Sequence, residues 1–445
     1  MPLKIYTFLL KLVAPLLWGY MYARARRAGG DWQVFSAERF GSYALPWDGE
    51  APIWVHAVSL GETRAAQSLI TQLLARGERV LLTHMTATGR TEGARLFAAE
   101  IAAGQLRQQW IPYDFSGATQ KFMRHYRPRL GILIEREVWP NLIEQAQKAA
   151  VPMILASARF SEKSQKQVRQ IDQVFLSLMR DAYSGIDLTL AQTEDDATRL
   201  YEVGALNIQV VGNLKFDVAL PVVAVDAGRA WREHLNRPVI AIASTREGED
   251  ALFVQALAQQ DSTALFLLIP RHPQRFDDAA ALLERAGIAT VRWSELRHNP
   301  QAAQMLAGIK VVLCDTLGEM PFFYAASDVA IVAGSFMPVG GQNLIEACAL
   351  GTPVIVGPHT YNFADAVAQA VEIGAAAQIQ AAEPLDAAQR AVAMAVYWLQ
   401  DQQGLQNKSR LAREWVGQHT GATTRILQHI TELEVARAQT LLPRH

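Results

Sequence analysis

In this 445-residue chain, charged side chains repeatedly follow apolar runs directly. Ser59-Leu60-Gly61-Glu62-Thr63 comes straight after the apolar stretch 52–58. A carboxylate at the end of a strand and the start of a helix can take a proton from an attacking hydroxyl, as a general base does. A glutamate there is also favoured by a capping box and by the helix dipole, so the motif alone suits structure as well as chemistry. In Ile134-Glu135-Arg136-Glu137-Val138-Trp139-Pro140-Asn141, two carboxylates flank an arginine after a second apolar run. An ion-paired surface loop is the simpler account, yet charge stacked before a Trp-Pro turn is unusual for a mere connection. Met85-Thr86-Ala87-Thr88-Gly89-Arg90 offers hydroxyls, a glycine and a cation at another such turn, suited to an anion or simply to a helix cap.

The second half carries a different chemistry. Pro270-Arg271-His272-Pro273 follows the apolar run 265–269, and an arginine there suits bidentate phosphate contacts. His272, held between a proline and the core, is given no catalytic role. Ala333 to Glu346 reads as a strand, a glycine-rich loop and a helix. Gly340 and Gly341 would let backbone N–H groups approach a phosphate, and Glu346 would accept from ribose hydroxyls. The spacing is neither GxGxxG nor GxxxxGK[ST], which sets aside the ordinary dinucleotide and P-loop readings.

These residues need elements to hold them. Apolar runs at 52–58, 80–83, 130–134, 153–156 and 188–191 read as strands separated by helices. The pattern restarts at 239–243, 265–269, 310–314, 329–332 and 353–356. Such alternation predicts an α/β fold with two doubly wound parallel-sheet, Rossmann-like domains, whose loops at the strands' carboxyl ends face a cleft. The expected division is a membrane-associating helix with its basic flank at 1–27, a first domain at 28–220 and a second at 221–445. The helices from Pro384 onward are assigned to the outside of the second domain. The 42 basic and 43 acidic residues nearly cancel, which argues against a nucleic-acid partner. Cys314 and Cys348 lie in apolar surroundings without metal-ligand spacing, as expected of buried reduced thiols.

The N-terminus departs from a soluble enzyme. Ile5, Phe8, Leu9, Leu12, Val13, Leu16, Leu17, Tyr20 and Met21 fall on one helical stripe, with Thr7, Lys11 and Ala14 opposite. The stretch suits a span or a helix lying in the membrane interface, or else a helix packed on the enzyme's own core. Arg24, Arg26 and Arg27 would hold its end on the anionic cytoplasmic side.

The segments HAVSLGET, PYD, EREVWPNLI, GNLKFD, ASTREGED, IPRHPQRF, DTLGEM, AGSFMPVGGQN and GPHTYNF together resemble the 3-deoxy-D-manno-octulosonic acid (Kdo) transferases of Gram-negative bacteria, along nearly the whole chain. The resemblance implies a GT-B architecture, with the acceptor on the first domain and the nucleotide sugar on the second. It implies an inverting transfer, without metal or other cofactor, from CMP-Kdo to a lipid A precursor, a tetraacylated disaccharide, at the cytoplasmic leaflet of the inner membrane during lipopolysaccharide biosynthesis. Glu62 matches the family's general base, and Glu135 and Lys215 match groups that stabilise the transition state. Pro270, Arg271, Gly318, Glu319 and Met320 match CMP contacts. Gly341, Asn343, Leu344, Ile345 and Glu346 belong to the segment matched to the phosphate and ribose. Leu60, Ile134, Arg136, Arg246 and the run Ala347-Cys348-Ala349 depart from the family's usual residues without removing a proposed catalytic group. The rival readings are a GT-B membrane enzyme using a UDP-sugar and a non-catalytic GT-B scaffold; VSLGET and EREVWPN, with Glu62 and the glycine loop present, favour the first assignment. No signal for oligomeric state, acyl-chain preference or number of Kdo units is visible in the sequence.

Overall fold

In the computed structural model, residues 2–28, 32–218, 220–299 and 301–441 are described. The side chain of Arg27, counted above in the basic flank, lies outside the described residues. The chain forms two compact units, Met1–Asp217 with Thr420–His445, and Val218–His419.

The first unit is built on a parallel sheet of β1 (Ile53–His56), β2 (Val80–His84), β3 (Leu106–Trp110), β4 (Leu130–Ile134), β5 (Met153–Ala158), β6 (Leu188–Ala191) and β7 (Ile208–Val210). Its order is β3-β2-β1-β4-β5-β6-β7. The chain goes one way from β1 and then returns to its other side at β4, so the carboxyl ends of β1 and β4 form the switch point where such sheets place their ligands. The second unit repeats the plan with β8 (Val239–Thr245), β9 (Leu265–Pro270), β10 (Thr290–Arg292), β11 (Val311–Leu313), β12 (Val329–Val332), β13 (Val354–Val356) and β14 (Ala376–Gln378), in the order β10-β11-β9-β8-β12-β13-β14. Its switch point lies between β8 and β12. The central strands are buried along their whole length, as sheets covered by helices on both faces require.

The last helix, Ala422–Leu441, corrects the expected division. Ala422, Ile426, Leu427 and Ile430 are buried in the core of the first unit, against residues of β1, β2 and β4. Asp217 fixes its start, accepting from the N–H of Gly421 at 2.6 Å and from the N–H of Thr423. Its apolar stripe was visible in the sequence, but a stripe does not name the sheet it covers. The helices Pro384–Gln400 and Gln402–His419 stay with the second unit.

The N-terminal helix, Pro2–Ala28, is long and apolar enough to cross a membrane by length and composition. It is two-sided in a way the sequence did not predict. Thr7 and Ala14, expected on the polar side, face the protein: Ala14 is buried and the Thr7 hydroxyl donates to Asn141 Oδ1 at 2.9 Å. Trp18 packs edge-on to Phe40 and Phe115. The apolar stripe points outward, with Phe8, Leu12, Leu16 and Tyr20 all more than 60% exposed.

One buried carboxylate fastens the switch point of the second unit. Glu249 is fully buried and accepts from four backbone N–H groups: Arg246 at 2.7 Å, Gly334 at 2.7 Å, Phe336 at 2.9 Å and Met337 at 3.2 Å. It ties the loop after β8 to the loop after β12. Glu249→Ala would orphan those donors, and we expect it to lower the unfolding free energy by at least about 3 kcal/mol. Chemical denaturation measures this; a variant as stable as the wild type would mean that the four groups find other acceptors.

Candidate active site

In the first unit, three elements bring Glu62, Glu135 and Lys215 together. Helix Leu60–Ala65 starts at Ser59, where the sequence signature is met in full. The Ser59 N–H donates to Glu62 Oε2 at 2.8 Å, and the Glu62 N–H points back at Ser59 Oγ. Glu62 is therefore a capping residue, as the simpler account had it, and its environment also suits it to chemistry. Burial, then the charges of Glu137 and Glu135, push its carboxyl from the usual 4.5 up to about 8, against the pull of backbone N–H groups. A carboxyl held there is poised to exchange a proton near neutral pH.

Glu135 directly follows β4 with φ +64°, a conformation rare for a residue with a side chain. Its Oε1 accepts from Lys215 Nζ at 2.6 Å. Lys215 sits in the short turn Leu214–Phe216, set by Asn213, whose side chain accepts from the Lys215 N–H at 2.9 Å. The same turn packs against helix Leu60–Ala65. A cation beside a carboxylate, on a turn packed against the helix that carries a second carboxyl of raised pKa, offers a positive group and a proton acceptor within one locality.

Glu137 was noted as a flanking carboxylate but given no role, and it proves to be the largest charge acting on Glu62. Its own carboxyl is raised by burial and moderated by the Trp139 indole N–H, which donates to it at 3.0 Å. Spacing alone gives no sign of this, because residues 62 and 137 meet only through the β1–β4 pairing. Nearby His56 and His84 are held neutral, both pushed down to about 3 chiefly by burial, so neither shuttles protons near neutrality.

The residues singled out in the second unit lie at or beyond the carboxyl ends of β9, β11 and β12. Pro270 closes β9, and the Arg271 N–H donates to the Thr245 carbonyl at 3.0 Å. The buried Tyr324 hydroxyl, in helix Met320–Ala325, feels both the Glu346 carboxylate and the Arg271 guanidinium. Gly318 adopts φ +83°, and Glu319 is already engaged, accepting from the Trp293 indole at 2.8 Å and Arg297 at 3.0 Å. Its carboxylate thus holds the loop. Asn343 Oδ1 accepts from the Ile345 N–H at 3.0 Å, and Asn343 Nδ2 reaches Glu346 Oε1 at 3.3 Å. Leu344 and Ile345 are buried, so any ligand contact they make is through the main chain.

The glycine loop needs its glycines for shape. Gly340 has φ +103°, and a Cβ there would lie 2.4 Å from Tyr361 and Asn362. The Gly341 N–H donates to the Gly334 carbonyl at 2.7 Å, so this donor is used within the loop. Arg246, the departure at a usual histidine, lies over Gly334 and donates to His272 Nε2 at 2.7 Å. Burial and the cations Arg246, Arg271 and Arg275 lower the His272 pKa, which keeps it an acceptor.

With this geometry in place, comparison with known proteins is direct. A family model described as 3-Deoxy-D-manno-octulosonic-acid transferase (kdotransferase) matches residues 36–218. The 3-deoxy-D-manno-octulosonic acid transferase of Bordetella pertussis is 52% identical over 436 residues, covering 96% of this chain and 98% of its own. That of Haemophilus influenzae is 30% identical over 403 residues, covering 87% and 89%. Among solved structures, Anabaena HepE in complex with UDP superposes with a TM-score of 0.52 at 16% identity, over 86% of this chain and 100% of that one, a likeness of fold. The two parallel seven-stranded sheets are those of a GT-B glycosyltransferase. With relatives matched from end to end, the chain belongs to the 3-deoxy-D-manno-octulosonic acid transferase family and is a glycosyltransferase.

Proposed function

We propose that this Kdo transferase moves one or more Kdo units from CMP-Kdo to a lipid A precursor at the cytoplasmic face of the inner membrane, with Glu62 as general base. The observation that carries the mechanism is the Glu62 carboxyl, raised to about 8 beside the Glu135–Lys215 pair. In the reaction, the acceptor hydroxyl oxygen forms a bond to the anomeric carbon from the face opposite the phosphate. The bond from that carbon to the phosphate oxygen breaks, its electron pair leaves with CMP, and the hydroxyl proton passes to Glu62. The anomeric centre is inverted. Charge developing on the departing phosphate calls for cations and backbone donors, for which Arg271 and the loops at Gly318–Met320 and Asn343–Glu346 are suited. Glu346 is assigned to the ribose hydroxyls, and Lys215 with Glu135 to charge at the reacting centre. No metal is assigned a part.

The membrane assignment is supported by the N-terminal helix, whose outward face is apolar and is bordered by exposed Lys4, Lys11, Arg24 and Arg26. Incubation with CMP-Kdo and a tetraacylated lipid A precursor, followed by mass measurement, tests the reaction and counts the sugars. An unchanged acceptor mass would refute it.

A base with this pKa sets the pH profile. The value of kcat/KM should fall about tenfold per unit as pH drops below about 8, while Glu62 takes up its proton. Glu62→Gln should remove that limb and lower transfer at least about a hundredfold, with CMP binding intact. The same substitution should stabilise the protein at alkaline pH. Folded Glu62 binds its proton more tightly than the unfolded chain does, so its contribution to stability falls as pH rises from 4.5 through about 8. Thermal melts at pH 8.5 check this, and a melting point below that of the wild type would contradict it. Arg271→Ala should raise the KM for CMP-Kdo more than that for the lipid; an unchanged donor KM would move the nucleotide site elsewhere.

A further inference from the structure

The Pro112-Tyr113-Asp114 motif is part of the resemblance, yet the reaction leaves it without a task. Asp114 joins three pieces of the first unit. Helix Pro140–Lys148 has no side-chain cap of its own, since its N-cap is Trp139 and its first residue is a proline. Asp114 caps it from another segment: Oδ1 accepts from the Leu142 N–H at 2.8 Å and Oδ2 from the Asn141 N–H at 3.1 Å. The Asn141 amide answers by donating to the Asp114 carbonyl at 2.6 Å. Two residues of the N-terminal helix complete the cluster. Tyr6 donates its hydroxyl to Asp114 Oδ2 at 3.1 Å, and Thr7 donates to Asn141 Oδ1 at 2.9 Å. Trp18 of the same helix also lies against Tyr113 and Phe115, the neighbours of Asp114.

The helix start held in this way is the end of the carboxylate loop. Trp139 stands edge-on to His56 at 5.5 Å, beneath the segment that leads to Ser59 and Glu62, and its indole holds Glu137. Any shift of the Pro140–Lys148 start therefore moves Trp139, Glu137 and the environment of Glu62 together. If bilayer attachment were the helix's whole task, its outward apolar face would suffice, and hydroxyls aimed at a half-buried carboxylate and a fully buried amide would be superfluous.

We propose that Asp114 is a positioning residue that ties the N-terminal helix to the loop carrying Glu135 and Glu137, so that the seating of this helix sets the rate of Kdo transfer as well as residence on the membrane. This rests on the reaction and the base assigned above. The coupling runs through contacts within one unit, and its expected size follows from geometry, because a misplacement of about 1 Å near reacting groups can cost on the order of a hundredfold.

The test uses the full chain, phospholipid vesicles carrying the tetraacylated acceptor, and CMP-Kdo. The double variant Tyr6→Phe with Thr7→Val removes both hydroxyls and leaves the outward apolar face untouched. Its kcat is expected to fall at least about tenfold, with vesicle co-sedimentation and the KM for CMP-Kdo unchanged. Asp114→Asn should lower kcat in the same sense, and Thr7→Ser, which keeps the hydroxyl, should restore the loss caused by Thr7→Val. A double variant with wild-type kcat would overturn the proposal, as would a loss fully recovered by adding lipid, since the helix would then be an anchor alone. A wild-type enzyme that transfers no Kdo in this assay would instead refute the reaction itself. Should Asp114→Asn fold poorly, the two helix substitutions still decide the matter.

Discussion

A carboxylate removed from water at the end of a buried strand has to be matched by N–H groups or a cation, and both units are organised around this requirement. Glu249 meets it with four backbone donors and Glu135 with Lys215. Each match joins segments far apart in sequence, so charge compensation doubles as the fastening of the loops that surround the sites. Glu62 is the instructive departure. Its backbone donors do not offset burial and two neighbouring carboxylates, and its proton affinity rises accordingly. Rigid, compensated acids form the frame, and an under-compensated one is left able to exchange a proton.

The central strands could be read from the sequence because they are buried on both faces, and continuous apolar runs record that burial. The strands that escaped notice are β3, β7, β10 and β14, the outermost strand on either side of each sheet. Leu-Arg-Gln-Gln-Trp of β3 is partly polar, and the others have three residues each. An edge strand has one neighbour and partial exposure, so neither length nor hydrophobicity marks it. The helix Ala422–Leu441 was misplaced for a related reason: local pattern shows that a face is apolar, and only the tertiary fold decides what covers it.

The site divides along the same line. Glu62, Glu135, Arg271 and the glycine loop stand in motifs whose local form already suggests chemistry, whereas Lys215 was marked only by the family resemblance. Glu137, Glu249 and Asp114 act through distant partners, and the bonds from Asn141 to Asp114, from Gly334 to Glu249 and from Tyr6 to Asp114 span 27, 85 and 108 positions. No window along the chain contains both halves of such an interaction. The loop at Gly340–Gly341 shows the converse, a motif visible in sequence, where positive φ and crowding by Tyr361 at Gly340 give a steric reason for glycine that only the fold supplies.

The N-terminal helix brings these strands of reasoning together. A helix whose apolar residues all pointed inward would be an ordinary core element, and one whose opposite face met only water would be a detachable anchor. Here the outward face is apolar, while the inward face is made of small, hydroxyl-bearing and aromatic side chains that interlock with the protein. Such a helix leaves the first unit only by breaking the Tyr6 and Thr7 hydrogen bonds and exposing Trp18. In the proposed reaction, lipid contact on one face and Asp114 on the other would act on a single rigid element. The acceptor proposed above is held in a bilayer, which demands a set height of the proposed base above that surface, and an element bonded to both would supply it without a moving part.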